Sequence, residues 1–296
     1  MFEEFKNAFN KPNSGHTQLI IINVVVFVAL GVLYVFSRIG GFENVFMAVH
    51  NQFTIPPIFL NFLTRPWTII TYSFAHSLQD IFHILFNMLA LYWFGKLFVE
   101  YLGSDKLIAL YILGALAAAS FYLLIFNTVP FFKAQSDFPG MVGASGAIYA
   151  IMVGAATLLP DYTFLLIFFG PVRIKYIAGI YILISFLGTT GANAGGNIAH
   201  LGGALMGFVY VKQLQAGVNW GGWITSVLDY MKNLFKPRSK VKVSYRKTDS
   251  KTKSKAPGAS KASQEEIDII LDKISDRGYE SLSKDEKEKL FNASKK

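Results

Sequence analysis

Six long apolar stretches dominate this sequence, and no other feature constrains its fold as strongly. A helix needs about 20 apolar residues to cross a bilayer core about 30 Å thick. Lipid cannot satisfy backbone polar groups, so such stretches are expected to be helices. The sequence predicts an all-α polytopic membrane protein. Its spans lie at about 18–37, 81–101, 105–128, 143–160, 173–189 and 196–214.

The composition agrees with lipid as the solvent of this chain. Charged residues make up 16% of it and the mean hydropathy is +0.38, whereas ordinary globular chains carry about 25% charge. An apolar stretch at 164–169 comes before the fifth span, separated from it by Gly170 and Pro171. A seventh crossing there is disfavoured because the piece is too short to span a bilayer.

The distribution of basic residues between the loops predicts the orientation. Short cytoplasmic loops carry an excess of Lys and Arg. With both termini cytoplasmic, Gly188 to Asn197 forms an outside loop without a basic residue. The inside loops then hold Lys96, Lys106, Arg173 and Lys175, and the outside loops hold Arg38, Arg65 and Lys133.

Composition also predicts the domain organisation. A cytoplasmic segment at 1–17 precedes a membrane core at 18–215, which is followed by a basic flexible linker at 216–262 and a small helical segment at 263–296. Between Lys236 and Ser263 there are ten basic residues and one acid, and their net charge of +9 equals that of the whole chain. The excess of basic over acidic residues therefore belongs to a tail that is attracted to anionic lipid headgroups, and it does not indicate a nucleic-acid-binding fold.

The last segment has two helix-start signatures. Ser263 with Glu266, and Ser283 with Glu286, have the spacing of a capping box. Apolar residues at i, i+3, i+4 and i+7 follow the first box, and Gly278 suits the end of that helix. These residues predict a soluble helical hairpin, whose apolar stripe is Ile267, Ile270, Leu271 and Ile274.

Several kinds of chemistry are excluded by missing residues. The chain contains no cysteine, which rules out disulfides, thiolate metal sites and a cysteine nucleophile. It has no His-Glu-x-x-His motif for zinc, and no pair of aspartates lies within the spans. We therefore expect neither a metal nor another cofactor.

Four polar residues in the spans are candidates for a single site. Ser145 opens the fourth span, His200 lies near the start of the sixth, and His83 and Asn87 lie one turn apart at the start of the second. In the predicted topology these three spans enter the membrane from the same outer side. Polar groups inside a span are costly unless they are paired or functional, so their shared depth predicts one site.

Serine-protease chemistry can be built from these residues. A serine hydroxyl is a weak nucleophile without an adjacent base, and His200 is the base nearest in depth to Ser145. The oxyanion formed by attack on a peptide carbonyl needs donors, which backbone N–H groups at the start of the fourth helix, His83 and Asn87 can supply. Gly143 and Gly146 allow close approach beside the serine, and Tyr149 lies one turn further along, where it could hold the imidazole.

Three motifs together resemble the rhomboid family of intramembrane serine proteases. Gly-x-Ser-Gly opens the fourth span, Ala-His-x-x-Gly opens the sixth, and His…His-x-x-x-Asn opens the second. The resemblance covers about 17–214 and is to the bacterial six-helix type, here with a C-terminal extension. It implies a multi-pass protein of the bacterial inner (cytoplasmic) membrane that cleaves transmembrane or juxtamembrane segments of membrane proteins.

The resemblance also implies roles for individual residues and loops. Ser145 and His200 would form a dyad without a third acid, with Tyr149 stacked on His200 and oxyanion contacts from His83, Asn87 and the Ser145 backbone N–H. The loop at 129–142 would dip into the membrane, the aromatic first loop would lie partly in the bilayer, and the fifth span would be a mobile lateral gate. Family members often carry Trp-Arg before the second span, whereas here Thr68 follows Trp67 and Arg65 precedes Pro66.

Other interpretations of the same residues stay open. A glycine-flanked serine is often a packing residue, and His76 fits a structural role in the loop before the second span. The alternative function is a non-proteolytic rhomboid-like protein that binds membrane proteins for quality control, although the presence of both Ser145 and His200 counts against it. A small-molecule transporter is disfavoured because no charged residue lies mid-span and no inverted repeat is apparent.

Overall fold

A computed structural model describes residues 8–9, 13–134, 140–166, 168–235 and 264–294. The chain divides into two compact units, 1–237 and 238–296. Six principal helices build the first unit. They are α1 (Gly15–Gly40), α2 (Ile81–Leu102), α3 (Ser104–Thr128), α4 (Ser145–Leu158), α5 (Ile174–Leu187) and α6 (Ala194–Gln215).

These helices confirm the predicted helical membrane bundle, and every boundary lies within three residues of its predicted position. Helices α1, α2 and α3 are each long and apolar enough to cross a membrane. Helices α4 and α5 are apolar but shorter. Helix α6 has 22 residues, and its glycines, asparagine and histidine make it less apolar than the others.

The centre of the bundle is a contact between α4 and α6 in which the two backbones almost touch. A Cβ atom on Gly203 would collide with the Gly146 carbonyl oxygen, and one on Gly207 would collide with the Ala150 carbonyl oxygen. Helix α3 closes the other side, where Gly146 faces Ala118. Small residues four apart permit this approach between membrane helices, and it fixes the spacing of α4 and α6 near the site.

The loop between α1 and α2, which is the predicted first outside loop, is structured and held by hydrogen bonds. The Arg65 guanidinium donates to the Asn51 carbonyl over 2.7 Å, and the Thr71 hydroxyl donates to the Gln52 carbonyl over 2.6 Å. These bonds fix the part of the loop in which the chain departs from the family's Trp-Arg pattern. The loop contains short helices at Glu43–His50, Phe59–Leu63 and Thr68–Thr71, with 3₁₀ turns at Asn51–Phe53 and Tyr72–Phe74.

The first loop also holds the segment that leads into α4. Ile55 and Met141 form an antiparallel bridge with N···O distances of 3.1 and 2.9 Å. Two residues further on, the Gly143 N–H donates to the Tyr72 carbonyl over 3.0 Å. The predicted membrane-dipping loop at 129–142 falls partly outside the described residues, at 135–139, and its depth stays a prediction.

A small β-hairpin lies between α4 and α5, where the sequence analysis expected only an apolar stretch. Strands β1 (Thr163–Leu166) and β2 (Gly170–Arg173) pair in antiparallel register from Thr163 opposite Arg173 to Leu166 opposite Gly170. Exposure alternates along β1, as expected for a strand with one face on the protein. The bundle is therefore helical with one added hairpin.

A helix also occupies the first part of the predicted flexible linker. Helix α7 (Gly222–Phe235) belongs to the first unit. Its Ile224 is 4% exposed and packs against the rest of that unit. Gly221, immediately before it, lies so close to Ala109 and Tyr210 that a side chain would not fit. The linker prediction is therefore wrong for these residues, and the basic stretch at 236–263 lies outside the described residues.

The second unit contains the predicted helical hairpin. Helix α8 (Gln264–Arg277) ends before Gly278, and α9 (Lys284–Ser294) follows a 3₁₀ turn. The Ser283 N–H donates to the Glu286 carboxylate over 2.7 Å, and the Glu286 N–H donates to the Ser283 hydroxyl over 3.3 Å. This capping box is confirmed, whereas Ser263 of the other predicted box lies outside the described residues.

Candidate active site

Ser145 is the first residue of α4, at the end of a constrained turn. Gly143 has a φ of +135°, which favours glycine because other side chains are strained there. A Cβ atom at this position would lie 3.1 Å from the His83 Nε2 atom and 3.6 Å from the Ser145 Oγ atom. Gly143 thus leaves open space between the serine and a histidine of α2.

His200 reaches the serine from α6. The distance between His200 Nε2 and Ser145 Oγ is 2.8 Å, a normal length for a hydrogen bond. Gly203, one turn after His200, packs closely on Gly146, the residue after Ser145, and this contact makes the distance possible. The imidazole of His200 is therefore positioned to accept the Ser145 proton.

Tyr149 and Ser185 hold the other side of the imidazole. The Tyr149 and His200 rings stack with centroids 4.1 Å apart and planes 9° from parallel. Ser185 Oγ lies 3.1 Å from His200 Nδ1 and 2.8 Å from the Tyr149 hydroxyl. Ser185 was not predicted from the sequence, although it is the only serine or threonine in α5 and a hydroxyl group within an apolar span is itself a signal.

His83 and Asn87 approach the serine from α2. Asp80 caps this helix by accepting hydrogen bonds from the Phe82 and His83 N–H groups over 3.0 and 3.3 Å. Asn87 is 8% exposed, and its Nδ2 atom has no hydrogen-bond partner among the described residues. An amide donor buried in this way has hydrogen-bonding capacity available for a ligand.

His76 lies behind His83, in the loop before α2. Its ring is buried and meets the His83 ring edge-on, with centroids 5.2 Å apart. Burial, followed by the neighbouring His83, lowers the pKa of His76 to about 3, against a smaller opposing effect of the Phe74 backbone. His76 is thus uncharged at neutral pH, which agrees with the structural role predicted for it.

The predicted side chains share one cavity of about 440 Å³. Gly143 and Gly146 flank Ser145 and are not among the lining residues. Within the described residues, no cluster of three or more His, Asp or Glu side chains could hold a metal ion. The lining residues include Ser145, His200, His83, Asn87 and Tyr149, together with Asp80, Phe86, Phe94, Met152 and Tyr181.

The fold and this cavity define a class of protein, a helical membrane bundle with a serine and a histidine in hydrogen-bond contact. Residues 63–215, half of the chain, match the model of the rhomboid domain, and the chain belongs to the rhomboid family. Residues 259–296 match a family of unknown function, DUF6576.

Curated relatives agree with this assignment. The chain is 36% identical to the mitochondrial RHOMBOID-like protein 12 of Arabidopsis thaliana, over 52% of this chain and 48% of that protein. It is 29% identical to the chloroplastic Rhomboid-like protein 16 of the same plant, over 72% and 66%. It is 30% identical to the mitochondrial Rhomboid protein 1 of Saccharomyces cerevisiae, over 51% and 42%. The chain thus spans about two fifths to two thirds of the length of these relatives.

Proposed function

We propose that this protein is an intramembrane serine endopeptidase that cleaves transmembrane or juxtamembrane segments of membrane proteins. The observation that carries the proposal is the 2.8 Å distance between Ser145 Oγ and His200 Nε2 at the wall of a cavity. Covalent catalysis typically uses a nucleophile within hydrogen-bond reach of a base, and a third group orients that base.

The first half of the reaction uses both residues. Ser145 Oγ attacks the carbonyl carbon of the scissile peptide while its proton passes to His200 Nε2. The tetrahedral intermediate collapses when His200 returns this proton to the leaving nitrogen, which breaks the C–N bond. The products of this half are a free amine and an ester on Ser145. In the second half, water attacks the ester carbonyl while its proton passes to His200 Nε2. His200 then returns this proton to Ser145 Oγ as the C–O bond of the ester breaks, which releases the acid and restores the serine.

The oxyanion of that intermediate is stabilised by donors from two helices. The backbone N–H of Ser145 lies at the N-terminus of α4, where the helix dipole favours negative charge. Asn87 Nδ2 is buried at the cavity, and His83 lies beside the open space at Gly143. Donors of this kind are each worth roughly 10²- to 10³-fold in rate.

The integral-membrane location follows from the bundle, whereas the orientation and the particular membrane belong to the proposal. The loop distribution of Lys and Arg supports cytoplasmic termini. The names of the relatives refer to mitochondria and chloroplasts, so they lend no support to a bacterial membrane. Fusion of a reporter to either terminus tests the orientation directly.

Labelling by a fluorophosphonate probe tests the proposed nucleophile. We expect the purified protein in detergent to be labelled, and Ser145→Ala and His200→Ala to lose the labelling while they keep the wild-type melting temperature. Ser120→Ala is the matched control, because this exposed serine of α3 lies outside the active-site cavity. Labelling of Ser145→Ala would contradict the assignment.

Cleavage of a model transmembrane substrate distinguishes the protease from a binding protein. We expect a substrate with glycines near the scissile bond to be cut faster than its leucine counterpart, because an intact helix hides its carbonyls from a nucleophile. Binding of the substrate without cleavage, by protein that is folded, would favour the non-proteolytic alternative.

A further inference from the structure

Helix α5 buries a single hydroxyl group, that of Ser185. Only three of its residues are buried, and of Ile174, Ala178 and Ser185 only the serine has a polar side chain. Most of the other side chains of α5 are exposed at the surface of the bundle. Burying a hydroxyl without a hydrogen bond is costly, so the partners of Ser185 indicate what it does.

Ser185 joins the catalytic pair to α5 through a continuous hydrogen-bond chain. From Ser145 Oγ the chain passes to His200 Nε2 over 2.8 Å, and from His200 Nδ1 to Ser185 Oγ over 3.1 Å. It continues from Ser185 Oγ to the Tyr149 hydroxyl over 2.8 Å and ends at the Tyr181 carbonyl oxygen, 3.4 Å further on.

The last acceptor gives this chain a direction. A carbonyl oxygen can only accept, so Tyr149 donates to Tyr181 and its own oxygen accepts from Ser185. The Ser185 oxygen is then free to accept from His200, which requires the proton on Nδ1. In this tautomer the Nε2 lone pair points at Ser145, as a base requires. In the reverse direction Ser185 would donate to Nδ1, leaving a proton on Nε2 that prevents it from accepting from Ser145.

We propose that Ser185 is a positioning residue that favours the Nδ1–H tautomer of His200, so that the packing of α5 against α4 and α6 contributes to the activation of Ser145. This inference rests on the proposed function. Tyr149 fixes the plane of the imidazole by stacking, whereas Ser185 decides which of its nitrogens carries the proton. The two groups therefore make separate contributions to the same base.

Two substitutions separate a hydrogen-bonding role of Ser185 from a packing role. Ser185→Ala fits the site but lacks the hydroxyl, while Ser185→Thr keeps the hydroxyl and adds a methyl group at a position that is 1% exposed. If the hydroxyl is what matters, the fluorophosphonate labelling rate falls in the Ala variant by roughly 10- to 100-fold, by analogy with the loss that follows removal of the second hydrogen-bond partner of a metal-bound histidine. The Thr variant then labels faster than the Ala variant.

Ser37→Ala is the matched control. This serine of α1 is also 1% exposed and also makes a hydrogen bond, to the Tyr34 carbonyl. It lies outside the cavity, so its labelling rate should equal that of the wild type even if its melting temperature falls. A packing role for Ser185 would instead make Ser185→Thr the slower variant, and that order would overturn the proposal.

The tautomer can be measured without any activity. In protein carrying ¹⁵N-labelled histidine, assigned with His200→Ala, we expect the His200 signals of an Nδ1–H tautomer in the wild type and of a mixture in Ser185→Ala. An Nε2–H tautomer in the wild type, or an unchanged tautomer in Ser185→Ala, would overturn the proposal. Failure of the wild type to label or cleave would overturn the protease function instead, and the nitrogen signals would still decide the role of Ser185.

Discussion

At the scale of residues, the site consists of side chains whose burial is explained by the proposed chemistry. Ser145, His200, His83, Asn87 and Tyr149 come from three separate helices and line one cavity. Their shared depth could be predicted from the sequence, since each lies near the N-terminal end of its span and the three spans are predicted to run in the same direction. The pairing of Ser145 with His200 could also be predicted. The hydrogen bond from Ser185 to His200 could not, because it depends on how α4, α5 and α6 pack.

Asn87 offers a test at this scale. We expect Asn87→Ala to lower substrate cleavage by roughly 10²- to 10³-fold, because the oxyanion loses a preorganised donor. The rate of cleavage by detergent-solubilised protein, normalised to the folded fraction, measures this effect.

Asn23→Ala provides the comparison for Asn87. Asn23 is also a buried asparagine, but it donates to the Leu19 carbonyl and the Tyr111 hydroxyl within the bundle. Its removal should lower the melting temperature and leave cleavage per folded molecule unchanged. Full cleavage by Asn87→Ala would mean that Asn87 only packs against its neighbours.

At the scale of elements, the length of the apolar stretches predicted the long helices well, whereas the short elements could not be predicted from local sequence. The six spans were predictable because each needs a long apolar run. The hairpin of β1 and β2 was not predictable, because a short apolar run is equally compatible with a strand and with part of a helix. Helix α7 was missed because the basic residues after Lys236 dominate the composition of the predicted linker, although its apolar residues have a helical spacing.

The close contact between α4 and α6 leads to a prediction about Gly203. A methyl group there would meet the Gly146 carbonyl, which separates the two helices and moves His200 away from Ser145. We expect Gly203→Ala to cost about 1–3 kcal/mol of stability, as overpacking generally does, and to abolish labelling. Thermal unfolding and probe labelling measure the two effects.

Gly179→Ala is the matched control for Gly203→Ala. Gly179 lies within α5, and a Cβ atom there would have no neighbour within 4 Å. Alanine is the better helix former, so this variant should be as stable as the wild type or more so. Equal labelling by Gly203→Ala and Gly179→Ala would show that the helix spacing does not control the dyad.

At the scale of the whole molecule, the chain consists of two compact units, and the second can be tested through its capping box. The Glu286 carboxylate accepts from the Ser283 N–H and from Lys273, with both Lys273 Nζ distances at 2.9 Å. These donors, with the Ser283 backbone first, lower the pKa of Glu286 to about 2. The ionised form therefore stabilises the hairpin of α8 and α9.

A lowered pKa in the folded state gives this stabilisation a defined dependence on pH. It is complete above about pH 4.5, the ordinary pKa of the carboxyl, and is lost as the pH falls towards 2. We expect Glu286→Gln to speed amide hydrogen exchange across 264–294 at pH 7, and the difference from the wild type to shrink as the pH falls through this range.

Glu288→Gln controls for the loss of a charge on the same helix. Glu288 is exposed, and among the described residues its carboxylate makes neither a hydrogen bond nor an ion pair. Hydrogen exchange in this variant should match that of the wild type at both ends of the pH range. Identical exchange in Glu286→Gln and Glu288→Gln would contradict the capping role.

The hydrogen-bond chain that ends at Tyr181 has a consequence for electrostatics inside the membrane. In the proposed tautomer its members are three hydroxyls, a neutral imidazole and a carbonyl, so the chain itself contains no ion. A carboxylate partner for His200 would impose a desolvation penalty of several kcal/mol on every resting molecule. Charge then forms only during turnover, as an imidazolium and an oxyanion of opposite sign, and disappears again when the peptide bond has been cut.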